Sequence, residues 1–171
     1  LEPLNEGVID VAQFLDLNEG IGGMDIDFRP QPERTVGDPE VISAAYRTGR
    51  IISGRGLANV PILDYRTFLD HQPDGDNHMK FHSFSLRDRL IRENGHAENH
   101  VMIVVPRGGA FGMDDPANEV MNEAVAHLDE WLTAVSHDAS GDPLPERIVR
   151  ARPDDFVEAC WTEDGRKIVE T

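Results

Sequence analysis

The stretch of sequence richest in reactive side chains runs from Asp64 to Ser83. It carries Asp64, Arg66, Asp70, His71, Asp74, Asp76, His78, His82 and Ser83. Five of the seven histidines fall between positions 71 and 100. A carboxylate beside a histidine orients the imidazole and stabilises its protonated form, so that the ring can activate a hydroxyl nucleophile. A solvated acidic loop with helix-capping side chains would look the same, and spacing alone favours that plainer reading.

The same residues could hold a metal. His78 and His82 are four apart and could share a helix face, with Asp70, Asp74 and Asp76 close by. Two histidines and a carboxylate suit zinc or iron, and the aspartates alone would suit calcium. The pair lacks the glutamate that strengthens such a motif, and the calcium-loop spacing is incomplete. The main reading therefore carries no cofactor, with calcium as its alternative.

Other segments carry less. Gly54-Arg55-Gly56 has no phosphate-loop lysine and reads as a turn. Arg107 to Gly112 either brings backbone close to a ligand or turns the chain. Cys160 has no basic cluster or histidine beside it in sequence, so no thiolate nucleophile is expected. Trp131 and Trp161 read as packing residues, since neither has a second aromatic as its sequence neighbour.

The elements that must position these residues are legible from periodicity. Val8 to Asn18 has apolar residues at helical spacing and stops before Gly20. Asp25 to Gly37 is irregular. Asp38-Pro39 reads as a helix cap and first turn, closed by Gly49. Val60–Tyr65 suits a buried strand, Ser83–Asn94 a helix ended by Gly95, and His100–Val105 a second buried strand. Pro116 to His137 is a long helix with Met121, Ala124, Val125, Leu128, Leu132 and Val135 on one stripe. Strand, helix, strand, helix in this order predicts an α/β fold with a parallel sheet between helices. Asp142–Pro145 and Arg152-Pro153 read as loops. Ala159–Thr162 and Lys167–Val169 flank Asp164-Gly165 and predict a small terminal hairpin.

Length and charge set the outer limits. The 171 residues suit one domain or a large piece of one. A net charge of −16 argues against nucleic-acid and anionic-membrane partners, which need a basic face. No run approaches a membrane span, and no leader pattern opens the chain. The start at Leu1 and the single cysteine lead to the expectation of a C-terminal part of something larger.

Several phrases together resemble a known group: Gln13–Asn18, Ile21-Gly22-Gly23, Ala45–Arg50, Val60–Arg66, His82-Ser83-Phe84 with Arg87–Leu90, and the stretch from Trp131-Leu132 to Arg152-Pro153 with Cys160. They resemble the C-terminal region of an uncharacterised bacterial family of α/β-hydrolase-like proteins, in the neighbourhood of tannases, feruloyl esterases and hydroxybutyrate-oligomer hydrolases. The resemblance covers most of the chain. It implies a C-terminal part of an α/β-hydrolase-like, mostly parallel sheet flanked by helices, with the small hairpin at its end. Residues 1–57 would be a helical or irregular segment, 58–138 the βαβα end of the core, and 139–171 an extension.

The resemblance also implies chemistry. The acid of a Ser–His–Asp triad follows the penultimate strand, and Asp70 fits best, with Asp64 second. The serine would lie upstream, because no Gly-x-Ser-x-Gly occurs here. The triad histidine normally follows the last strand, but Pro106–Gly112 contains none. His82 or His78 would then supply the base from the preceding loop, or the site is not a standard triad. The family resemblance further implies an exported protein, with Cys160 paired to a cysteine upstream. The expected partners are an upstream segment or chain of the same precursor and a small ester, with no nucleic acid and no membrane. The competing expectation is a non-catalytic or metal-binding α/β domain that completes a larger protein's sheet.

Overall fold

The computed structural model describes residues 1–70, 79–108, 111–112 and 115–169. The chain forms two compact units, Leu1–Arg50 and Ile51–Thr171.

The first unit contains α1 (Glu2–Asn5), α2 (Val11–Gly20), β1 (Gly23–Met24), β2 (Pro30–Gln31) and α3 (Pro39–Arg47). α2 starts three residues later than its apolar spacing predicts, because Asp10 and Gln13 cap it reciprocally at 2.8 and 2.9 Å. Asp38 caps α3 through the N–H groups of Glu40 and Val41, with Pro39 in the first turn, as expected. The irregular segment holds a two-residue antiparallel ladder, and Thr35 Oγ1 closes it on the backbone of Met24. Ile26, Phe28 and Val36 stand almost wholly exposed in this unit.

The second unit is α/β. It contains β3 (Ile62–Thr67), α4 (Phe81–Asn94), β4 (His100–Val105), α5 (Glu119–His137), α6 (Leu144–Ala151), β5 (Ala159–Trp161) and β6 (Lys167–Val169). The strands form one sheet in the order β3-β4-β5-β6. The first three are parallel and β6 is antiparallel. The terminal hairpin is therefore the sheet's edge rather than a separate ribbon. β3 begins two residues later than its apolar run because Pro61 has no N–H to give, and the ladder opens with Ile62 N–H on the Asn99 carbonyl at 2.8 Å.

α6 lies between two segments that read as loops, Asp142–Pro145 and Arg152-Pro153, where the sequence reading assigned no element. Pro145 and Arg152-Pro153 look like breakers, but proline is tolerated in a first helical turn, and Leu144, Ile148 and Ala151 recur at helical spacing between them. Alternation divides the sheet into two faces. Val101, Ile103 and Val105 on one face pack with Ala124, Trp131, Ile148 and Phe156, and Leu63 and Tyr65 join them. Trp131 is wholly buried, and its indole N–H donates to the Ile148 carbonyl at 2.7 Å. Trp131 is core, as the sequence reading had it, and so are Ala124, Leu128 and Val135 of the long-helix stripe, whereas Val125 and Leu132 of that stripe stand about half exposed. The opposite face carries Asp64, Arg66, Met102 and Val104 towards α4.

The Ser53–Gly56 segment is a turn held against α4. Gly54 has φ +94, and a Cβ there would stand 2.8 Å from the Arg89 carbonyl oxygen. Arg89 donates to the Ile52 carbonyl at 2.7 Å, and Asn94 to that of Gly54 at 3.3 Å.

Candidate functional site

Because β3, β4 and β5 are parallel, their carboxyl ends share one rim, where ligands of open α/β sheets sit. Phe68 extends the ladder by one bond, its N–H on the Val105 carbonyl at 2.7 Å. Buried Leu69 anchors the strand end, and Asp70 follows, exposed. The Asp70 carboxylate accepts the N–H of Lys80 at 3.0 Å, which ties the residue after β3 to the root of α4. Lys80 Nζ lies 4.8 Å over the Phe68 ring.

At this rim lies a cavity of about 770 Å³. Its walls come from the end of β3 (Phe68), from α4 (Phe84), from the end of β4 (Val104, Pro106) and from β5 (Cys160, Trp161). Lys80, Arg107, Thr162 and Glu163 complete it. The volume suits a small organic ligand, and the walls are largely apolar with a few polar groups, as such sites usually are. Sequence reading placed Trp161 as a packing residue because no aromatic neighbours it in the chain. The fold brings Phe68 and Phe84 into the same wall. Cys160 is half-buried and free.

His82 stands elsewhere. It lies exposed in the first turn of α4, with its ring centroid 4.1 Å from that of Phe81. It lines an open groove along the outer side of β3, with Asp64, Arg66 and Ser83. Phe84, two residues on, lines the cavity instead. The start of α4 thus divides the groove from the cavity, and Asp70 is bonded to that same start. His78 lies outside the described residues, as do His71, Asp74 and Asp76.

Asp64, the second choice for the acid, belongs to an internal network. Its Oδ2 is 3.4 Å from Nε2 of His100, whose side chain is wholly buried at the start of β4. Ser83 also bonds Asp64 and accepts from Arg66 Nη1 at 2.7 Å. Burial pushes the Asp64 carboxyl up. The hydrogen bonds of His100 and Ser83 and the charges of His100 and Arg66 outweigh it, leaving the group below the ordinary carboxylate value. His100 was not singled out from the sequence, where it reads only as the first residue of an apolar strand.

The loop after β4 contains no histidine, and Asn118 fixes its far end. Asn118 is buried, accepts the Met121 N–H at 3.0 Å as the cap of α5, and donates to the Gly112 carbonyl at 3.0 Å. It also donates to the Tyr65 hydroxyl at 3.1 Å. Burial raises the Tyr65 pKa, and the bond with Asn118 opposes the shift. Among the described residues no group of three or more His, Cys, Asp or Glu side chains is placed to hold a metal. No helix of the described residues is long and apolar enough to cross a membrane.

The whole chain, residues 1–171, matches the model of the Tannase-like family of unknown function (DUF6351), and the chain belongs to that family. No curated protein and no solved structure matches it.

Proposed function

From membership of a tannase-like family we propose that the chain is part of a serine-type ester hydrolase and forms one wall of its active site. The observation that carries the reading is the apolar cavity at the shared carboxyl ends of β3, β4 and β5, with Asp70 leaving the first of those ends. In the proposed arrangement Asp70 is the orienting acid and His82 or His78 is the base. Another segment of the same precursor, or a second chain, supplies the serine. The serine oxygen attacks the ester carbonyl as the imidazole takes its proton, and the same proton goes to the leaving alcohol. Water then releases the acyl group. Asp70 is exposed, and the bond from Lys80 N–H engages one of its two carboxylate oxygens, which supports its reading as an acid held at the end of β3. Export and an upstream disulfide partner for Cys160 belong to the same proposal.

The test is labelling of the complete protein with a fluorophosphonate serine probe, with turnover of short acyl esters measured alongside. Asp70→Asn, and either His82→Ala or His78→Ala, should each lower kcat by roughly 10³-fold or more. Unchanged turnover in all three variants removes these assignments. If no serine is labelled and no ester is cleaved, the hydrolase reading falls, and a non-catalytic role in completing a larger sheet stands in its place.

A further inference from the structure

We infer that the cavity at the carboxyl ends of β3–β5 takes an amphiphilic carboxylate, an apolar body with an anionic head. The inference rests on the reading of this cavity as the substrate-binding wall.

The walls fix the body of the ligand. Phe68, Phe84, Pro106 and Trp161 come from four different segments and present apolar surface to one space. A cavity of this size accepts a ring with a short chain.

The mouth fixes the head. Two cations reach the cavity from separate elements, Lys80 from the root of α4 and Arg107 from just beyond β4. Lys80 Nζ lies over the ring of Phe68, itself a wall residue, so the ammonium stands beside the cavity wall. Neither cation forms an ion pair with a carboxylate among the described residues. One carboxylate of the lining, Glu163, stands against the two cations, with Asp70 at the same rim but outside the lining. The chain as a whole has sixteen cations against thirty-two acids, so this lining inverts the balance of its surroundings. An acidic protein repels organic anions over most of its surface, and a locally cationic mouth on an apolar cavity selects them.

The probes are 4-phenylbutyrate and its uncharged counterpart 4-phenylbutanol, titrated into the 171-residue chain by calorimetry at pH 7 and low salt. The acid should bind roughly five- to tenfold more tightly than the alcohol, a preference that shrinks at high salt. Cys160, the chain's one cysteine, reports the location. Its rate of reaction with neutral N-ethylmaleimide should fall as the acid binds, with the same midpoint as the heat. Arg107→Gln, at an exposed position, and Lys80→Gln should each cut the preference to about twofold, and circular dichroism verifies that each variant is folded. Equal affinity for acid and alcohol, no binding of either, or binding that leaves Cys160 reactivity unchanged overturns the inference. The esterase reading is judged separately on the complete protein. Acid binding without serine labelling removes the esterase and leaves the anion site. Serine labelling without acid preference does the reverse.

Discussion

Replacing Asp64 by asparagine separates a structural pair from a catalytic one. The His100 side chain is wholly buried, and Asp64 Oδ2 is the acceptor the structure places beside its Nε2. Its other ring nitrogen, Nδ1, has no hydrogen-bond partner among the described residues. Taking the charge from Asp64 leaves the buried imidazole facing a neutral amide. Breaking a buried pair costs up to several kcal/mol. The 3.4 Å separation is long and Asp64 is one-fifth exposed, so the loss belongs near the low end, about 2 kcal/mol. In a unit of this size that lowers Tm by roughly 6–10 °C. The pH dependence has a definite sign. The folded carboxyl titrates below its ordinary value of 3.8, so its contribution is present above that pH and is lost as pH falls through the lower folded value. The gap between the native chain and the variant should be full above the ordinary carboxylate range and should narrow as pH falls below it. Thermal melts followed by circular dichroism across that range measure it. Turnover by the complete protein should survive in the variant at temperatures where it is folded. A variant melting within 1 °C of the native chain at pH 7, or one that loses turnover while folded, refutes the reasoning.

Trp131→Phe should cost about 2–3 kcal/mol in chemical denaturation, since it leaves the Ile148 carbonyl without its buried donor and vacates part of the ring's volume. Gly54→Ala should cost roughly 2 kcal/mol in the same assay, because φ is +94 and the new methyl meets the Arg89 carbonyl oxygen at 2.8 Å. Asn118→Ala removes a helix cap and a bridge to Gly112 and Tyr65 at once, and should lower Tm by several degrees, a loss of about 2 kcal/mol. The N–H groups of Ile62 and Phe68 point to β4, so by alternation those of Leu63, Tyr65 and Thr67 point to the open edge. Hydrogen exchange should find those three amides fast in the 171-residue chain and protected in the complete protein.

Much of the fold was legible because its signals are local. Asp38-Pro39 capped its helix, Gly95 stopped α4 with its N–H on the Ile91 carbonyl, and the apolar run His100–Val105 became the central strand over the same six residues. Ala124, Leu128 and Val135 of the α5 stripe pack in the core, while Val125 and Leu132 face outward. What failed was non-local. The breakers around α6 hid a helix whose identity depends on Ile148 reaching the core formed by α5 and β4. The hairpin's membership of the sheet depends on β5 pairing with a strand more than fifty residues earlier.

The site was legible to a smaller extent, and for the same reason. The rule that ligands gather at carboxyl ends of parallel strands pointed to the segment after β3, and Asp70 does leave that end. The cavity's other walls, Phe84, Arg107 and Trp161, lie on three further segments and share no spacing that a linear reading could detect. His100 was invisible as a partner of Asp64 because thirty-six residues separate them. Its position is dictated by register: Ile62 pairs with His100, so the ring falls on the face of the sheet that carries Asp64.

The two edges of the sheet are unlike, and the difference bears on the proposed chemistry. β6 is three residues long, exposed throughout and begins with a lysine, which blunts an edge against further pairing. β3 is six residues long and half-buried along its whole length, with no ladder partner on its outer side among the described residues. It contains no proline, and its inner side is anchored by six registered pairs. Such an edge is a template for another strand. A parallel strand added there would run beside the groove of Asp64, Arg66 and His82, and its carboxyl end would emerge at the rim that carries Asp70. A nucleophile following that strand would face the acid from the side on which His82 stands. The proposed division of the triad between this chain and another segment therefore needs no rearrangement of β3, α4 or Asp70, only the pairing that the open edge already offers.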